Sequence, residues 1–173
     1  AFSDFRRLAR ERGTAAPAEF SINLSGHTLS SPDFGDIVRE GLAQFGVPPG
    51  CVCFEITETA AIANAERARA AIEGLRAMGV RFWLDDFGSG LSSFNYLKNF
   101  PVDGLKIDGL FVKGVARNYL DHALVEAIQK IAETMGLATV AVCVESEELV
   151  AIGVPWGQGF HLAPPGNLDA VIP

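Results

Sequence analysis

At 173 residues and 49% hydrophobic content, the chain is long enough for one domain with a substantial core, and it is too apolar for intrinsic disorder. A formal net charge of −7 excludes a broad non-specific nucleic-acid surface, so no DNA partner is expected. No stretch approaches the ~20 uninterrupted apolar residues of a membrane-spanning helix.

In chain order, residues 2–13 read as an amphipathic helix rather than a signal peptide, with Gly13 as its stop. Phe20-Ser-Ile-Asn-Leu alternates as a strand. Phe34, Ile37, Val38, Leu42 and Phe45 then follow at helical spacing, and the Pro48-Pro49-Gly50 cluster ends that helix. Cys51 to Ile56 is the second strand, followed by a helix from about Ala65 to Met78. The third strand (Phe82, Trp83, Leu84) is expected to end near Asp85, so that a turn brings Asp85 and Asp86 to one site. A short helix over 92–100 and a strand at Leu105–Asp108 come next. A long helix from Tyr119 to Met135 precedes a strand over Thr139–Val144, a short helix over 145–152 and a last strand over Gly157–Leu162. Strands alternating with helices, without hairpin signals, predict a parallel sheet covered by helices.

Cys51, Cys53 and Cys143 suit a reducing, cytoplasmic compartment. The Cys51-x-Cys53 pair lacks zinc spacing and reads as buried thiols. Trp83 and Trp156 are expected to fill the core or its rim. The predicted strand exits carry Asn23, Glu55, Asp85, Asp86, Lys106, Asp108, Glu145 and Gln158. In a barrel such exits converge on one rim, where catalytic residues come from several strands. The oxygen-rich set suits hard cations such as Mg²⁺, Mn²⁺ or Ca²⁺. A lysine beside them would neutralise phosphate charge, so metal-assisted phosphoryl chemistry is one reading and sugar or aldol chemistry the competitor.

The motifs SINLSG, FEITET, LDDFGSGLSSFNYLKNFPVDGLKIDGLFV and GQGF, in this order, resemble the EAL-domain family of cyclic di-GMP phosphodiesterases along essentially the whole chain. The resemblance implies an α/β, TIM-barrel-like fold, with about six of eight strands in this chain and residues 1–173 forming a single domain without its N-terminal strands. It implies hydrolysis of cyclic di-GMP to linear pGpG with Mg²⁺ or Mn²⁺, and inhibition by Ca²⁺. By the same resemblance Asn23, Glu55, Asp85 and Asp86 are metal ligands, with Asp86 serving a second metal. Lys106 contacts the attacking water or phosphate, and Asp108 and Gln158 serve substrate binding. Glu145 matches the last acid of the family's AEGVE motif and, with Lys106 and Asp86, is expected to be catalytic. Glu58 steadies the loop holding Gly88, Ser89 and Gly90, and residues Phe87–Ser93 supply a homodimer contact. Family members commonly carry further signalling domains, some of them membrane-bound.

Three departures qualify this. The Glu-Ala-Leu signature is absent, and with it one ligand glutamate. Ala141-Val142-Cys143-Val144-Glu145 replaces AEGVE, so Val142 stands where the family has its general base. The segment from Glu145 to Gly157 is also shorter by about one helical turn. The expectation is therefore a phosphodiesterase domain with impaired turnover. The alternative is a degenerate cyclic di-GMP receptor or protein-interaction module.

Overall fold

A computed structural model describes residues 19–57, 65–89, 97, 100–145 and 152–163. The expected helices at 2–13, 92–100 and 145–152, together with Glu58 and Gly90, lie wholly or largely outside the described residues. Six strands form one sheet in the order β1 (Phe20–Leu24), β2 (Val52–Thr57), β3 (Arg81–Phe87), β4 (Gly104–Ile107), β5 (Ala138–Val142) and β6 (Trp156–Gln158). Every neighbouring pair is parallel. Strand order therefore equals chain order. A doubly wound sheet reverses direction at a switch point; this sheet does not, so right-handed crossovers put the described connecting helices on one face.

Those helices are α1 (Gly26–Leu29), α2 (Phe34–Phe45), α3 (Ala65–Arg76), α4 (Gly109–Val112) and α5 (Tyr119–Met135). Helix α2 buries Phe34, Val38 and Leu42 at i, i+4 and i+8, one apolar stripe. Helix α5 buries Val125, Ile128 and Ala132 in the same way. The Asn118 side chain caps α5 by accepting the Leu120 amide at 2.9 Å. Beneath the helices lie Ile56, Phe82, Leu84, Leu105 and Ile107, all fully buried. Thr139 is the polar exception on this face, and its hydroxyl donates to Gln129 Oε1 of α5 at 2.6 Å.

At the amino ends of the strands, Asp103 clasps three elements. It takes two guanidinium hydrogen bonds from Arg76 at the end of α3 (Nε 3.1 Å, Nη2 2.6 Å) and the Phe82 amide of β3 at 2.9 Å. Gly104 is required by a close approach: a Cβ there would lie 2.7 Å from the Trp83 ring and 2.9 Å from the Ala138 carbonyl.

Several sequence expectations shift. Strand β3 runs on to Phe87 rather than stopping near Asp85, because the hydrogen-bonded ladder continues through a bulge. Cys51 sits in a 3₁₀ turn (Pro49–Cys51) and is half-buried, so only Cys53 of the pair is a buried strand thiol. Burial pushes that Cys53 thiol well up, which keeps it protonated and inert. Strand β6 is only three residues long, and the chain turns at 159–162. Trp156 fills no core: it is 64% exposed, because β6 is an edge strand with no described neighbour beyond it. Among the described residues, no helix is long and apolar enough to cross a membrane.

Candidate active site

The face of the sheet away from the helices follows from strand alternation. Glu55 and Thr57 of β2, Arg81, Trp83 and Asp85 of β3, and Lys106 of β4 all stand opposite the buried apolar set. At the carboxyl ends of β1–β3, Asn23, Glu55, Thr57, Asp85 and Asp86 line one cavity of ≈ 720 Å³ with Ser25 and Gly26. Register sets this grouping: Asn23 pairs with Glu55, and Thr57 with Asp85.

Two adjacent acids reach one cavity because of the bulge. Leu84 pairs with Leu105 and Phe87 with Ile107, so Asp85 and Asp86 together stand opposite Lys106 alone. The extra residue is accommodated by Asp86 at φ 54°, in the left-handed region that Asp tolerates better than most residues. Asp85 Oδ1 accepts the Asp86 amide at 3.0 Å, and the Ser89 hydroxyl donates to the Asp86 carbonyl at 2.9 Å. Gly88 follows at φ +104°, where a Cβ would lie 2.9 Å from the Phe111 ring of α4. The turn after the acids is thus seated on α4.

Lys106 is the centre of the electrostatics. Its Nζ donates to Glu55 Oε2 at 2.6 Å and lies 3.3 Å from Asp85 Oδ1, with the side chain 9% exposed. Burial works to lower the ammonium's pKa. The hydrogen bond and charge of Glu55, then Asp85, outweigh it and hold Lys106 above the ordinary lysine value. The lysine is therefore a cation throughout the neutral range.

A second cavity of ≈ 440 Å³ continues down the same face. It is lined by Glu55, Arg81, Trp83, Lys106, Trp156 and Gln158, among others. Gln158 thus shares a cavity with Lys106. The Trp83 indole Nε1 is buried there with no hydrogen-bond partner among the described residues. Thr57 and Trp83 are cavity residues absent from the sequence expectation. Each lies two positions from an acid on its own strand, and that spacing was the available signal.

Two expected site residues stand elsewhere. Asp108 caps α4, its Oδ1 accepting the Leu110 amide at 2.8 Å, and it lines neither cavity. Glu145 is exposed and pairs with Lys113 at 3.6 Å, also outside both cavities. Val142 ends β5 beside Gln158 and offers no proton acceptor.

The EAL domain family model matches residues 1–165. The chain belongs to the EAL domain family. Cyclic di-GMP phosphodiesterase PdeB of Shewanella oneidensis is 44% identical over 152 residues, covering 86% of this EAL chain but 18% of PdeB. The chain spans about a fifth of the length of the curated relatives it matches. The crystal structure of the EAL domain of Mycobacterium smegmatis DcpA superposes with a TM-score of 0.92 at 35% identity, over 99% of this chain and 80% of that one. Klebsiella pneumoniae BlrP1, solved as a manganese and cyclic di-GMP complex, aligns with a TM-score of 0.82 at 29% identity, over 92% of this chain and 42% of that one. The sheet is accordingly the TIM-barrel-like (β/α) fold of EAL domains, with six parallel strands among the described residues.

The donor set of this EAL domain fits a hard cation in chemistry: an amide oxygen and three carboxylates share one cavity. A positive group, the Lys106 ammonium, already stands against two of them. Among the described residues, no three His, Cys, Asp or Glu side chains gather tightly enough to enclose an ion by themselves.

Proposed function

We propose that the chain is a metal-dependent cyclic di-GMP phosphodiesterase domain, opening one phosphodiester of the cyclic dinucleotide to give linear pGpG, with slow turnover. The observation that carries this is the convergence of Asn23, Glu55, Asp85 and Asp86 on one cavity, with Lys106 buried against two of its acids. The names of PdeB and of the BlrP1 complex support the substrate and the metal class.

Asn23, Glu55, Asp85 and Asp86 would hold Mg²⁺ or Mn²⁺. Such an ion supplies Lewis-acid polarisation of a phosphoryl oxygen. The chain's own contribution is positional. Three adjacent strands fix Glu55, Asp85 and Lys106, and the ammonium offers positive charge to a phosphate without reorganisation. Gln158 and Trp83 bound the continuing cavity, where part of a nucleotide would lie. At Val142 no side chain can take the proton of an attacking water, and losing a general base costs about 10²–10⁴ in rate.

That vacancy of function at Val142 favours a second reading, a cyclic di-GMP receptor. Incubation with cyclic di-GMP and Mn²⁺, with chromatography of the products and calorimetry on the same samples, separates the two. Chelator-sensitive pGpG supports the enzyme, and binding without pGpG supports the receptor. Neither binding nor product would overturn both. The reading extends to a homodimer through the Phe87–Ser93 loop, of which 87–89 are described. An unchanged sedimentation mass on altering Asp86 and Ser89 would count against that contact.

A further inference from the structure

Two of the acids proposed to hold a metal, Glu55 and Asp85, are already partnered by Lys106. The geometry points to Lys106 as the built-in counter-cation of the site, holding Glu55 and Asp85 in place when no divalent ion is bound and yielding at least one of them when one enters. This rests on the reading of the cavity as a metal site. It assigns Lys106 a positioning role toward the metal ligands, separate from any contact with substrate.

Three observations support it. Lys106 Nζ lies 2.6 Å from Glu55 Oε2 and 3.3 Å from Asp85 Oδ1, so one ammonium serves two carboxylates. The side chains are 9%, 12% and 18% exposed, so water does little to relieve the two acids if the lysine is removed. The groups come from β2, β3 and β4, neighbouring strands whose spacing is set by backbone hydrogen bonds rather than by loops.

A divalent ion among the same oxygens would stand within a few ångströms of the ammonium, and like charges that close repel strongly in a half-dry site. Lysine and metal therefore compete. The lysine keeps the empty site assembled and weakens metal binding.

The test uses the full chain with Lys106→Met, and with Lys106→Gln as a second variant that retains a polar head without the charge. Thermal unfolding in chelator and calorimetric titration with Mn²⁺ are the readouts, and hydrolysis is not needed. Both variants are expected to melt below the wild type in chelator, to bind Mn²⁺ about tenfold more tightly, and to gain more thermal stability from it. A variant that is unfolded in chelator but folded by Mn²⁺ gives the same answer. Wild type that binds Mn²⁺, with variants that bind it equally or more weakly, overturns the inference alone. Variants that Mn²⁺ does not restore overturn it as well. If wild type and variants all fail to bind Mn²⁺, the metal-site reading itself falls and carries this inference with it.

Discussion

The two faces of the sheet are made by alternate residues of the same strands, yet they have opposite characters. On β3, Phe82, Leu84 and Phe87 are fully buried under helices, while Arg81, Trp83 and Asp85 stand half-exposed on the other side. On β4 the contrast runs through neighbours: Leu105 and Ile107 belong to the core, and Lys106 between them carries the charge of the site. The helix-covered face supplies the apolar burial that holds the domain together. The other face keeps charges and a cavity. One position breaks the symmetry. At the bulge an extra residue enters, alternation slips by one, and a second acid is delivered to the functional side.

The sharpest way to probe the functional face is Val142→Glu. Restoring an acid at the end of β5 is expected to raise cyclic di-GMP hydrolysis by about 10²–10⁴-fold, measured as initial rates with Mn²⁺ at neutral pH. No gain would mean that Val142 is not the lesion.

A stability comparison tests the division between the faces. Phe82→Ala on the covered face should cost about 3–5 kcal/mol in chemical denaturation. Val140→Ala on the opposite face should cost under about 1.5 kcal/mol, since its half-buried side chain removes little apolar surface from water. Equal losses would show that both faces carry the core.

The smallest effect separates two roles for Asp108. Its carboxylate caps α4, so Asp108→Ala should cost about 1 kcal/mol of stability. Nucleotide affinity by calorimetry should be nearly unchanged. A large fall in affinity with little loss of stability would make Asp108 a binding residue.

Much of the fold was legible because period decides it. The strand at Phe20–Leu24, the apolar start of β3 at 82–84, and the helices at Phe34–Phe45 and Tyr119–Met135 with their Gly stops stand out through apolar spacing. The absence of hairpin signals was enough to expect parallel pairing. What period does not decide is local and polar. Asp108 and Glu145 follow strands, as site residues do. A free amide at the start of α4 and the ammonium of Lys113 nevertheless engage them outside the cavities. Trp156, expected in the core or at its rim because it is large and apolar, stays exposed because β6 has no described neighbour on its far side to bury it. Sequence composition carries no information about which polar partner a side chain meets.

By itself the sequence determined the alternation of strands and helices, the sheet's direction, the family, and the residue types gathered at Asn23, Glu55, Asp85, Asp86 and Lys106. These depend on periodicity and motif order, which are local properties of the chain. Only the tertiary structure decided that β3 bulges to aim two acids at one cavity. It alone decided that Lys106 lies between Glu55 and Asp85, and that Asp108 and Glu145 turn elsewhere. Those outcomes depend on inter-strand register and on which charges burial brings within reach of one another, and neither is written in any single stretch of the chain.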